Sequence, residues 1–238
     1  MIALTFDTDH MTETMMSRFL DILPSGLPFT FFCHRPFPSL KRGRGEIAMH
    51  TYLATPEPWL EVTKALRTEI ESVAGPLVGL RPHSLMSSQP YLVQLHEIGI
   101  RYISSITIHP DQDMPCFRYP WGPVEIPIRY MDNMDLWARD RTRQSETCFS
   151  RSRITKAIAA QNLFCFDFHP IHIFLNTSRL EDYEQWTRAG RPELSDPVER
   201  PDYGTRDFFL DLCREITRSG APVVTCRQAA EALEAGHR

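Results

Sequence analysis

The sequence predicts an α/β fold, a distorted (β/α) barrel of about seven or eight mostly parallel strands. Three observations lead there. Short apolar runs of strand type recur along the whole chain, most are separated by stretches of helical period, and acidic or imidazole residues gather just after the runs. In parallel folds of this kind the chemistry collects at the carboxyl ends of the strands.

The first run, Ile2 to Phe6, stops on Asp7, Asp9 and His10. Thr12 is placed to cap a helix that runs to about Leu23, where Pro24-Ser25-Gly26 ends it. Phe29 to Cys33 and Glu46 to Met49 are the next strands, the latter followed by His50. Thr55-Pro56 suits a helix start, with Trp59, Val62, Leu66 and Ile70 on one face before Gly75-Pro76. Leu77 to Leu80 leads to Arg81 and His83. Ser88 caps Gln89 to Ile98, closed by Gly99, and Tyr102 to Ile106 follows. Val124 to Ile128, Leu163 to Phe168 and Pro222 to Thr225 complete the strands. Further helices fall near Ile154 to Ala160, Arg206 to Arg218 and Arg227 to Ala235. Residues 186–204, rich in proline and charge, read as a surface excursion that can also lie over a site.

The 238 residues are read as one domain spanning 1–238, with 42% apolar and 24% charged residues, an ordinary soluble balance. Net charge is −4, and Lys41-Arg42-Gly43-Arg44 is too short a basic patch to argue for nucleic acid. No apolar run reaches the ~18 residues of a membrane span. The chain starts directly in a strand, without the regions of a signal peptide, so a cytoplasmic location is expected. Six cysteines without a CxxC pair suit reduced thiols in such a compartment. Oligomeric state is left open.

Chemistry is carried by four strand ends. Side chains alternate along a strand, so Asp7 and Asp9 share a face, where two acids repel unless a cation or a proton intervenes. His50, then Arg81 and His83, then His169 and His172 stand at three further ends. Carboxylate plus imidazole is a ligand set for Zn²⁺ or a similar divalent ion with an open water position. Any one of these histidines alone reads as a packing residue; the argument rests on their joint placement. His34 is read as a backbone partner, His96 as surface, and His109 as a loop residue. Tyr119 and Trp121 are either aromatic core or a stacking surface for a sugar ring. His10 and His172 are further candidates for touching substrate.

At these residues the chain resembles a known family. Thr5-Phe6-Asp7-Thr8-Asp9 is similar to the TFDDG motif of polysaccharide deacetylases, the NodB-homology group of carbohydrate esterases. Phe29-Thr30-Phe31-Phe32 resembles the family's ATFF strand, and Glu46-Ile47-Ala48-Met49-His50-Thr51-Tyr52 its EIGNHTY segment. Arg81-Pro82 resembles its RPP turn, and His169 after Phe166-Asp167-Phe168 its LxH strand. The likeness runs from about residue 2 to 226, and the Asp7-x-Asp9 spacing, Arg81-x-His83-Ser84-Leu85 and Phe168-His169-Pro170 resemble most the WbmS-like branch, associated with bacterial surface-polysaccharide gene clusters.

The resemblance implies a metal-dependent hydrolase that deacetylates an N-acetylated amino sugar or related glycan precursor, with a carbohydrate or other small molecule as substrate. It implies Asp7 as general base, Asp9 and His50 as metal ligands, His169 as general acid and Arg81 as the partner that orients the base. Asp132 resembles a position near the family's fourth motif and would orient His169. The family's second ligand histidine would stand at residue 54, which is Ala54 here. His83 is the preferred replacement and His10 the second choice. Thr8 leaves the roles of Asp7 and Asp9 exchangeable. Two other readings stand beside this one: a degenerate member that binds a glycan or a partner protein, and a hydrolase of another linear or cyclic amide.

Overall fold

The first strand, β1 (Ile2–Asp7), is buried along its whole length and pairs on both sides, with β2 (Phe29–Cys33) and β9 (Phe164–Phe168). The structure is a computed structural model that describes residues 1–42, 45–53, 58–142 and 149–236. Beyond β2 the sheet continues through β3 (Gly45–Thr51), β4 (Gly79–Pro82), β5 (Tyr102–Ile103) and β7 (Val124–Glu125) to β6 (Phe117–Arg118). On the other side β9 pairs with β8 (Ile128–Met131). Among the described residues every strand pairing is parallel except the β6–β7 hairpin.

The two ends of this order are joined by the chain itself, because β7 passes through Ile126 and Pro127 straight into β8. Ile126 N donates to Ile103 O at 2.9 Å and Ile128 N to Ile106 O at 2.8 Å, so the ribbon 124–131 bridges β5 and β9. The sheet thereby curls into a distorted barrel. The run expected as one strand, Val124 to Ile128, breaks at Pro127, which has no N–H to give a ladder. Pro222 to Thr225, expected as a strand, makes only an isolated bridge between Val223 and Ile2.

The helices are α1 (Glu13–Ile22), α2 (Trp59–Ala74), α3 (Gln89–Glu97), α4 (Asp132–Thr142), α5 (Arg151–Ala159), α6 (Pro170–Leu175), α7 (Leu180–Arg188), α8 (Thr205–Ser219) and α9 (Cys226–Gly236). Thr12 caps α1 by accepting from Met15 N at 3.2 Å. On α2, Thr63 takes an inward position while Val62 is exposed, a correction to the expected face. The Thr55-Pro56 start and Cys148 lie outside the described residues, as do Gly43 and Arg44 of the basic patch. The other five cysteines are free thiols. No helix among the described residues is long and apolar enough to cross a membrane.

Alternation along β1 builds two different faces. Ile2, Leu4 and Phe6 point to the helices, where the Phe6 ring meets Phe19 of α1 at 5.1 Å and Phe209 of α8 at 5.6 Å. Ala3 belongs to the inner cluster with Ala48 and Phe32, and Thr5 and Asp7 follow it on that inner face.

Candidate active site

The carboxyl ends of β1, β3, β4 and β9 converge, and a cleft of about 220 Å³ lies over them, lined among others by Asp7, Asp9, His50, His83, Asn133 and His169. His50 ends buried on β3. Its Nδ1 lies 2.9 Å from the carbonyl oxygen of Arg81, which can only accept, so Nδ1 carries the proton and the lone pair of Nε2 is left for the cleft. Nε2 is 3.4 Å from Asp9 Oδ2 and 3.3 Å from His83 Nδ1. The third side, His83 Nδ1 to Asp9 Oδ2, is 3.3 Å. An ion bound tetrahedrally at about 2.0–2.1 Å spaces its ligands about 3.3–3.4 Å apart. The three atoms therefore fit one face of such a shell, and the donor set suits a divalent cation.

Electrostatics agree with that fit. Burial opposes the charge of Asp9, but the imidazoles of His50 and His83 outweigh it and hold the carboxyl well below the usual range. Burial also opposes a charged His50, and Asp7 and Asp9 overcome it, raising its pKa. A proton and a cation compete for the same lone pair. Tyr52 donates its hydroxyl to the other oxygen of Asp9, Oδ1, and stacks on His83.

Arg81 is fully buried beneath this layer. Nη1 donates to Asp7 Oδ1 at 2.9 Å, Asp167 Oδ1 at 2.6 Å and Thr5 Oγ1 at 2.9 Å, and Nη2 donates to Ser104 Oγ at 3.0 Å. Its guanidinium carbon sits 4.1 Å from the Phe32 ring centroid. Asp7, Asp167 and His169 also bring ligand-type atoms together, but Arg81 already occupies both carboxylates. Burial, joined by repulsion from Asp7, pushes the Asp167 carboxyl well above its usual range despite Arg81. Its Oδ2 is buried without a partner among the described residues.

On the far side, Asp132 at the start of α4 accepts from His169 twice, at 2.7 Å from Nδ1 and 2.7 Å from the backbone N. Burial disfavours the imidazolium, but Asp132 prevails and the His169 pKa is pushed up to about 10. Nε2 then carries a proton toward the cleft, 3.9 Å from Asp9 Oδ2. Asn133 lies 3.5 Å from that nitrogen through Nδ2, while its Oδ1 is buried without a partner. Two donors facing each other favour the amide turned over, with Oδ1 accepting from Nε2.

Thus Asp7, Asp9, His50, Arg81, His83 and His169 are brought together. Other candidates lie elsewhere. His10 is at the rim, where Nδ1 accepts from Arg191 Nη1 at 3.3 Å. His172, proposed to touch substrate, is buried behind His169 and bonds Thr177 Oγ1 through Nδ1 at 3.2 Å. Burial drives its pKa down to about 4. Trp121, with His10 and His172 a third candidate for touching substrate, is 82% exposed at the tip of the β6–β7 hairpin. Val124 there is in register with Tyr102 at the start of β5, so Trp121 stands at the amino end of the strands, opposite the cleft. Tyr119 is on the same hairpin and donates to Glu125 Oε2 at 3.1 Å. His34 pairs with Thr8 Oγ1 at 3.0 Å rather than with backbone. His96 is exposed, and His109 lines a neighbouring cleft of about 490 Å³ between residues 107–110 and β8. Ala54 lies outside the described residues.

Tyr52 and Asp167 carry no role in the sequence reading. Both were reachable by strand periodicity, since Tyr52 follows His50 by two and Asp167 is an acid inside an otherwise apolar strand, two before His169.

The WbmS-like polysaccharide deacetylase family matches residues 4–187. No curated protein matches the sequence significantly. Among solved structures, a Bordetella bronchiseptica protein designated a polysaccharide deacetylase involved in O-antigen biosynthesis superposes with a TM-score of 0.71. It is 22% identical over 90% of this chain and 90% of that one. A Mycobacterium smegmatis protein designated a polysaccharide deacetylase gives 0.62 and 20% identity, over 99% and 90%. The Xyl-CE4 domain of a multidomain xylanase from the hindgut metagenome of Trinervitermes trinervoides gives 0.51 and 14%, over 98% and 90%. At these identities the structural likeness is one of fold.

Proposed function

The chain belongs to the WbmS-like polysaccharide deacetylase family, and on that premise we propose that it is a divalent-metal-dependent amide hydrolase, with zinc as the fitting ion. Its substrate is an N-acetylated amino sugar or a related glycan precursor, and its products are acetate and the free amine. What carries the reading is the triangle of Asp9 Oδ2, His50 Nε2 and His83 Nδ1, with Asp7 and His169 beside it in one cleft.

Asp9, His50 and His83 would hold the ion, which supplies Lewis acidity toward the acyl oxygen and the attacking water. Asp7 accepts the proton of that water, its carboxylate fixed by Arg81 so that Oδ2 stays toward the cleft. His169 arrives charged through its pairing with Asp132 and gives the Nε2 proton to the departing nitrogen. Base and acid are thus separated by environment: one carboxylate is paired with a buried guanidinium, one imidazole is held charged by a carboxylate.

The test is acetate release from N-acetylated sugars by zinc-loaded protein, with Asp7→Asn and His169→Ala alongside. Each variant is expected to lose at least about a hundredfold in kcat. Full activity in both would remove these two roles.

A further inference from the structure

A charged residue at the cleft rim has no place in the proposed chemistry. Arg191 follows α7 on the excursion that the sequence marks out, and it has no ion-pair partner among the described residues. Its Nη1 instead donates to the neutral acceptor His10 Nδ1 at 3.3 Å. His10 is bonded in sequence to Asp9, so Arg191 is held one residue from the ligand triangle. Around the neighbouring cleft the basic side chains are placed differently: Arg129, Arg153 and Lys156 are each paired with an aspartate, Asp113, Asp135 and Asp111.

The placement of Arg191 is built rather than incidental. Arg191 and His10 both adopt left-handed backbone, φ 55° and φ 61°, a conformation that ordinary side chains enter only when their surroundings require it. Arg191 N donates to Trp186 O at 3.1 Å, Trp186 Nε1 to Pro192 O at 3.0 Å, and Thr12 Oγ1 to Glu193 Oε1 at 2.5 Å. These bonds tie the turn to α7 and to the start of α1. The His10 ring is backed by Tyr183 and by the buried Trp186, 6.3 and 6.4 Å away centroid to centroid, which packs the turn against α7.

We infer that Arg191, steadied by His10, anchors an anionic group of the substrate, a carboxylate or a phosphate, at the mouth of the cleft. A guanidinium held through one N–H by a neutral imidazole keeps its remaining donors and its full charge for a forked contact with such an oxyanion. The substrate class narrows accordingly to acidic or phosphorylated N-acetylated sugars. The identity of the sugar rests on the deacetylase reading; the anchor itself does not.

Calorimetry on zinc-loaded protein tests it with three probes: N-acetylglucosamine, N-acetylglucosamine 1-phosphate and N-acetylglucosaminuronic acid. Wild type is expected to take at least one charged probe about tenfold tighter than the neutral one, and the preferred probe names the anion. Arg191→Gln is expected to bring the charged probes down to the level of the neutral one, and Arg191→Lys to retain part of the preference. Comparing variants with wild type cancels any direct contact of the anion with zinc. Equal binding of all three probes by wild type, or an undiminished preference in Arg191→Gln, would overturn the anchor. Acetate release is read on the same samples: its absence with the preference intact counts against the deacetylase reading and leaves the anchor standing.

Discussion

Tyr52 lies flat against His83, with ring centroids 4.3 Å apart and planes 16° apart, while its hydroxyl donates to Asp9 Oδ1. One side chain thus orients two of the three groups proposed to hold metal, fixing the imidazole plane and leaving Oδ2 as the carboxylate's free oxygen. Outer partners of this kind are worth about 10–100-fold in metal affinity. Tyr52→Phe keeps the stack and loses the hydrogen bond; Tyr52→Leu loses both. Cobalt or zinc titration is expected to rank wild type above Tyr52→Phe and Tyr52→Phe above Tyr52→Leu. Equal affinities across the three would show that Tyr52 orients nothing.

His83 stands in the triangle, whereas the Nδ1 of His10 is engaged by Arg191. His83→Ala and Asp9→Asn should therefore each cut the zinc retained after dialysis by tenfold or more, and His10→Ala should retain it. A ligand bound only by the native state stabilises by about 2.7 kcal/mol at a hundredfold excess over Kd. Chelator should then lower the melting temperature of wild type and leave that of Asp9→Asn where it was. Retention of zinc by His83→Ala with its loss from His10→Ala would exchange the two residues.

The residues that were legible in the sequence are those whose chemistry conflicts with their surroundings. Asp7, Asp9, His50 and His169 follow apolar strand runs, and parallel topology sends all such ends to one mouth. His83 was legible because it follows the β4 end, which set it ahead of His10 as the replacement for the missing histidine. Trp121 was misread because exposure and hairpin direction are set by the antiparallel β6–β7 pairing, two residues long, which no period reveals. The α4 helix escaped notice since, among its described residues, Leu136 alone is in the apolar core, yet its first residue, Asp132, is what holds His169. Arg191 was invisible for a different reason: its value depends on what fails to pair with it.

His169 gives a pH dependence with a definite sign. Its folded-state value near 10 lies above the ordinary 6.5, so the charged pair with Asp132 stabilises fully below about pH 6.5. That contribution fades as pH climbs through 10. In chelator-treated protein the melting temperature of wild type should exceed that of Asp132→Asn most below pH 6.5, with the gap closing toward pH 10. The alkaline limb of kcat should move to lower pH in Asp132→Asn, since the proton on Nε2 is then lost earlier. A gap that widens with rising pH would mean that the imidazole is neutral in the native state.

Arg81 offers the largest stability effect, because it is a fully buried cation among two buried acids and two hydroxyls. Arg81→Met leaves Asp7 and Asp167 without a guanidinium between them, and removing one member of a buried pair costs about 3–5 kcal/mol. Arg81→Lys fares better in charge, yet a single ammonium cannot span Asp7 and Asp167 on one side and Ser104 on the other. Adding Asp167→Asn to Arg81→Met removes one orphaned acid and should recover part of the loss. Urea denaturation of the three proteins checks the order. If the double variant were less stable than Arg81→Met alone, Asp167 would be held by something other than Arg81.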